Sequence, residues 1–165
     1  MAFGAAIVVS ATVLDCGSGA PGTSAPGSDD CYPDSDGLTG GDYTIDLVVN
    51  DVGFYAGAAD AGTKDLLSTQ NDSLVTLTLT NTGTKPHGFK VGCVDVLSSY
   101  PDLPAGCSTS ACFPPSSIIA PIAPGTSATI TFDTPTPDSL IYPFTSNDPG
   151  DSSVKALNDG QWSLM

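Results

Sequence analysis

From position 43 onward, apolar residues fall on alternate positions in short runs, the period of a strand that buries one face and wets the other. Tyr43, Ile45, Leu47 and Val49 share one parity. Val75, Leu77 and Leu79 alternate with Thr76, Thr78 and Thr80, whose β-branched side chains suit the exposed side of a pleat. Asn81-Thr82-Gly83-Thr84 then supplies a turn, after which His87, Phe89 and Val91 lie on one parity and Gly88 and Lys90 on the other. The rule repeats in Ala128, Ile130 and Phe132, in Leu140, Tyr142 and Phe144, and in Trp162 and Leu164. At least six short strands with turn-rich connections predict an all-β fold, a Greek-key β-sandwich spanning 43–165. The best helical signal, around Lys64 to Leu67, is weak, and no internal repeat is visible.

The chain ahead of the strands has a different character. Ala2 to Leu14 is apolar but shorter than the ~20 residues a membrane-spanning helix needs. Small residues and Cys16-Gly17 follow it, so residues 1–16 read as an export signal. Two processing routes compete. Val9-Ser10-Ala11 resembles a small-residue cleavage site, and Val13-Leu14-Asp15-Cys16 resembles a lipoprotein signal in which Cys16 is lipidated. Asp15 stands where the second pattern wants a small residue, and no basic residue precedes the apolar run. Residues 17–42 are mostly Gly, Ser, Pro, Ala, Thr and Asp, a composition that buries too little surface to offset ordering entropy, and they predict a disordered linker. Asp34-Ser35-Asp36-Gly37 has a calcium-loop flavour, but EF-hand spacing would place Tyr32 and Tyr43 at the first and last ligand positions.

Composition narrows the partners. All 18 acidic residues are Asp and all four basic ones Lys, giving a net charge of −14. Asp favours turns over helices. Binding a polyanion requires basic groups that release its counterions, so nucleic acid is excluded as a partner. Anionic lipid would repel the chain as well, which leaves membrane attachment only through a lipid on Cys16. With 165 residues, the sequence has room for one domain and a tail.

Three segments resemble the cupredoxins, the family of plastocyanin and azurin. Leu77-Thr78-Leu79-Thr80-Asn81-Thr82-Gly83-Thr84-Lys85-Pro86-His87-Gly88-Phe89 is similar to the family's strand, turn and ligand histidine. Ala123-Pro124-Gly125-Thr126-Ser127-Ala128-Thr129-Ile130-Thr131-Phe132 resembles the strand that leads to the ligand loop. Ile141-Tyr142-Pro143-Phe144-Thr145-Ser146-Asn147-Asp148-Pro149-Gly150-Asp151 resembles the closing strand and the loop itself. The resemblance implies a type 1 copper site, with Cys, two residues, Pro, Gly and His in the loop and a Met beyond. Here Ser146 stands for the cysteine and Asp151 for the second histidine, and no Met follows before Gly160-Gln161-Trp162. His87 is the one family ligand retained. A blue-copper centre needs a soft thiolate and two imidazoles; a serine hydroxyl is neutral and hard. The expected state is a degenerate copper site without a cofactor, with copper held by His87 and unrecognised ligands as the alternative.

The remaining chemistry is structural. Cys93 shares the parity of His87, but six residues of straight strand separate them by ~20 Å, too far to share an ion. Cys107 and Cys112 lie in a Pro- and Ser-rich stretch, 103–115, longer than a hairpin needs. In an exported protein Cys93, Cys107, Cys112 and Cys31 are disulfide candidates, with three pairings open and a preference for Cys93 with one of the loop cysteines. A soft-metal site on Cys107 and Cys112 is the competing reading. Ser146, His87 and Asp151 contain the residue types of a nucleophilic triad, yet nothing in their spacing shows its geometry. The sequence therefore predicts no enzyme. It predicts an exported binding or structural module whose partner is an unidentified envelope or extracellular protein, the alternative being a copper-binding or electron-transfer protein.

Overall fold

Alternation in the sequence becomes two packed sheets in the computed structural model, which describes residues 31–32, 40–57, 66–137 and 139–165. In chain order the strands are β1 (Asp42–Asn50), β2 (Gly53–Ala56), β3 (Leu66–Thr69), β4 (Leu74–Asn81), β5 (His87–Val91), β6 (Cys93–Asp95), β7 (Ser110–Cys112), β8 (Ile119–Ile122), β9 (Ser127–Asp133), β10 (Ile141–Thr145) and β11 (Gly160–Leu164). One sheet has the order β2-β1-β4-β9 and the other β3-β11-β10-β5-β8; β6 and β7 form a separate ribbon. Strand β1 runs parallel to β4, and β11 parallel to β3, while the remaining pairs are antiparallel. The architecture is an all-β sandwich.

Parity decides which residues enter the core. On β4, Val75, Leu77 and Leu79 are fully buried, while Thr76 and Thr78 pair hydroxyls with Thr131 and Thr129 of β9 on the wet face. The opposite sheet contributes Phe89, Tyr142, Phe144, Trp162 and Leu164, all at 0% exposure. Rings meet edge to face between the layers: Phe54 with Phe144 at 5.4 Å and Phe132 with Trp162 at 5.8 Å. Such pairs add about 0.5–1.5 kcal/mol beyond the area they bury. Indole Nε1 of Trp162 donates to Thr69 Oγ1 at 2.9 Å, so the one polar atom of this buried ring is satisfied.

Several features differ from the sequence expectation. Leu66–Thr69 is a strand, although Lys64 to Leu67 carried the helical signal, because pairing with β11 overrides local propensity. The short strands β2, β6, β7 and β8 have too few residues for a periodicity to be read. Within the stretch read as linker, Cys31 and Tyr32 are buried. Tyr32 donates to the Ser108 carbonyl at 2.7 Å and packs edge to face on Tyr100. The rest of the linker before Gly40, the export signal, the calcium-like Asp34–Gly37 stretch and Cys16 lie outside the described residues.

The cysteines join as Cys31–Cys107 and Cys93–Cys112. Cys107 and Cys112 thus sit in different bridges, which removes the soft-metal reading: a disulfide sulfur has no thiolate to offer. Disulfides form and persist in oxidising compartments, in keeping with an exported domain. Among the described residues no helix is long and apolar enough to cross a membrane.

Candidate functional site

The turn between β4 and β5 is built around Asn81, which is 0% exposed. Its amide nitrogen donates to the carbonyls of Lys85 and Ile122, and its Oδ1 accepts from Gly83 N at 2.8 Å. With every polar atom satisfied inside the fold, Asn81 fixes where β5 begins. His87 is the first residue of β5, and its ring is buried between the two sheets at 0% exposure.

Each ring nitrogen of His87 faces a carboxylate. Nδ1 lies 2.8 Å from Asp151 Oδ2, and Nε2 lies 2.9 Å from Asp51 Oδ1. Against ionised carboxylates, which only accept, both nitrogens donate, the hydrogen-bonding pattern of an imidazolium. Burial alone pulls the His87 pKa down. The hydrogen bonds and charges of Asp151 and Asp51 together outweigh that and raise it above the ordinary value of 6.5.

Asp51 belongs to the turn between β1 and β2. Besides His87 it accepts from the Thr84 hydroxyl at 2.6 Å and from the backbone nitrogens of Thr84 and Lys85. Those bonds, the Thr84 hydroxyl first and His87 next, hold its carboxyl well below the usual carboxylate range. The carboxylate staples one sheet's first hairpin to the turn that carries His87. Gly83 makes room for it: a Cβ there would lie 2.6 Å from Asp51 Oδ1 and 2.9 Å from His87 Nε2.

The other side of the cluster comes from the segment after β10. Ser146 follows the strand directly, and Asp151 ends a short 3-10 turn, Pro149–Asp151, which Asp148 caps by accepting from Gly150 N. Asn158 donates to the Asp151 and Val154 carbonyls at 2.8 Å, closing the loop from behind. Ser146 Oγ donates to Asp151 Oδ2, the same oxygen that accepts from His87, and receives Asp148 N at 3.2 Å. Asp151 and Ser146 are 3% and 6% exposed, so the cluster is shielded from solvent on this side. Gly88 fits against Asn147 Oδ1, which is itself buried without a hydrogen-bond partner.

The structure therefore brings together His87, Ser146 and Asp151, the three positions matched to family ligands, and adds Asp51. Sequence reasoning missed Asp51 because one more Asp in a turn, among 18, carries no signal. The connectivity runs Ser146, Asp151, His87, Asp51. A nucleophilic triad needs the histidine between the serine and the carboxylate. Here the carboxylate lies between them, and both imidazole nitrogens are already engaged.

The donors do not fit a type 1 copper centre. One imidazole, one carboxylate and one hydroxyl are present where a thiolate and two imidazoles are required, and Nδ1 of the imidazole already faces Asp151 Oδ2. Among the described residues no group of three or more His, Cys, Asp or Glu is arranged to hold a metal ion. Asp51 and Asp151 engage opposite nitrogens of the ring and do not converge on one point. An apolar recess of ≈ 350 Å³ lies in the disulfide-tied loop, lined by Cys31, Tyr100, Leu103 and Pro104 among others, and shares no residue with the His87 cluster.

No protein-family model matches the chain, and no curated protein matches it. Solved structures do. A dithionite-reduced auracyanin from the photosynthetic bacterium Roseiflexus castenholzii is 19% identical, with a TM-score of 0.48 over 74% of this chain and 96% of that one. Auracyanin A, a "blue" copper protein from Chloroflexus aurantiacus, is 16% identical, with a TM-score of 0.45 over 75% and 99%. A multicopper oxidase, mgLAC, is 15% identical, with a TM-score of 0.43 over 75% of this chain and 38% of that one. Each of these likenesses spans about three quarters of this chain.

Proposed function

We propose that the protein is an exported, cupredoxin-like binding or structural module that works without copper, without redox activity and without catalysis. One observation carries the reading: Ser146 and His87 both hydrogen-bond to Asp151 Oδ2, so the positions that would present metal ligands satisfy one another. A proton on Nδ1 takes the place a metal ion would fill. The acidic surface keeps the domain soluble outside the cytoplasm and disfavours anionic partners. Its partner is another envelope or extracellular component, met through the loops and the outer faces of the sheets.

The test is to expose the folded protein to Cu(II), record the visible spectrum, and measure retained metal after dialysis. The expected result is no intense visible band and no stoichiometric copper. An intense thiolate-to-copper band would overturn the reading, and so would one equivalent of copper surviving dialysis without colour.

A further inference from the structure

The two disulfides sit in different surroundings. Cys93 and Cys112 face each other directly across the β6–β7 ribbon, which is only three residue pairs long, and both are exposed. Cys31 is 5% exposed, and Cys107 packs, partly buried, against the same apolar cluster. An attacking thiolate must reach a sulfur along the S–S axis, so access governs which bridge reacts. We propose that Cys93–Cys112 is a thiol–disulfide exchange site, opened by a dithiol reductant while Cys31–Cys107 stays closed.

The ribbon also suggests the direction of the exchange. Ser110 Oγ lies 3.9 Å from Cys112 Sγ, and since a disulfide sulfur carries no hydrogen, the hydroxyl is the donor. That donor favours charge building up on Cys112 as it leaves. The incoming thiolate therefore bonds to Cys93 Sγ, and the electron pair of the broken S–S bond passes to Cys112 Sγ, which takes a proton from water. The second thiol of the reductant then attacks its own sulfur in the mixed disulfide and releases Cys93 as a thiol. The cystine gains two electrons, and the dithiol is oxidised to a disulfide.

Charge selects the partner. Asp95 is two residues beyond Cys93 on the same exposed face, in a chain of net charge −14. Anionic thiols are repelled, so the reductant is neutral or cationic around its reactive sulfur.

The full folded chain is treated with dithiothreitol in native buffer, sampled over time, alkylated with iodoacetamide and mapped by peptide mass. Cys93 and Cys112 are labelled at least about tenfold faster than Cys31 and Cys107, with the near-UV circular dichroism of the aromatic core unchanged. Equal rates, earlier opening of Cys31–Cys107, or labelling that appears only with loss of the dichroism would overturn the proposal. Among monothiols, cationic cysteamine reacts several-fold faster than anionic 2-mercaptoethanesulfonate, about as expected for a surface field of this sign. The gap narrows in Asp95→Asn, and the cysteamine adduct is found on Cys93. Equal rates for the two thiols would refute the partner class, and an adduct on Cys112 would refute the direction.

Discussion

Ser146 and His87 meet on a single oxygen atom, Oδ2 of Asp151, so the first residue of β5 and the residue that follows β10, its neighbour in the sheet, are locked through one carboxylate. A buried charge tolerates this only when it is paired and its remaining lone pairs are used. Here His87 supplies the opposite charge, and Asp51 balances the far side of the ring.

That arrangement sets a pH window for stability. The raised His87 pKa means its contribution is fully present below 6.5 and is lost as pH rises through the higher folded value. The lowered Asp51 pKa means its contribution is fully present above 3.8 and is lost as pH falls toward the folded value. Stability against urea is expected to peak between those limits. In His87→Gln the alkaline decline flattens and the midpoint stability falls by about 3 kcal/mol, since one partner of a buried charged network is gone. Equilibrium unfolding across a pH series measures both effects; an alkaline limb that survives the substitution unchanged assigns it to another group.

Gly83→Ala separates the two carboxylates. A Cβ at that position would push on Asp51 Oδ1 and His87 Nε2 while leaving Asp151 untouched. The variant should lose about 1–3 kcal/mol, as overpacked sites do, and its His87 pKa should move toward the ordinary value. Titration of the His87 ring signals by NMR checks the second point, and an unmoved pKa would show that Asp51 contributes little.

Rebuilding the missing donors tests the correspondence between loop and family. Because Ser146 and His87 already converge on Asp151, the double substitution Ser146→Cys with Asp151→His places a thiolate and a second imidazole around one point. This variant is expected to take up Cu(II) with an intense visible band, and the parent is expected to show none. If the folded variant stays colourless and copper-free, the three positions do not share a site of the right shape.

Trp162 anchors the centre of the core, packing on Phe89, Phe113 and Phe132 and donating to Thr69. Truncation in Trp162→Ala should cost about 3–5 kcal/mol, seen as a lower urea midpoint with an unaltered slope.

Much of this molecule was legible from residue pattern. The alternation in 75–79 and 128–132 found β4 and β9 because each strand buries one face, and Ser146 and Asp151 were matched to His87 through the resemblance to the cupredoxin ligand loop. The strands β2, β6, β7 and β8 escaped because runs of three or four residues are too short to display a period. Asp51 escaped for another reason. It reaches His87 only through the pairing of β1 with β4, a tertiary relation that places the β1–β2 turn beside the β4–β5 turn and leaves no local trace. Cys31 found its partner 76 residues away, which spacing leaves undetermined.

The central claim is that His87 is a buried imidazolium whose Nδ1 proton occupies the metal position, and nitrogen-resolved NMR of its ring tests this most directly. With one equivalent of Cu(I) added anaerobically at neutral pH, both ring N–H signals should persist unshifted. Loss of the Nδ1–H signal with a shift of that nitrogen would show metal displacing the proton and would contradict the account.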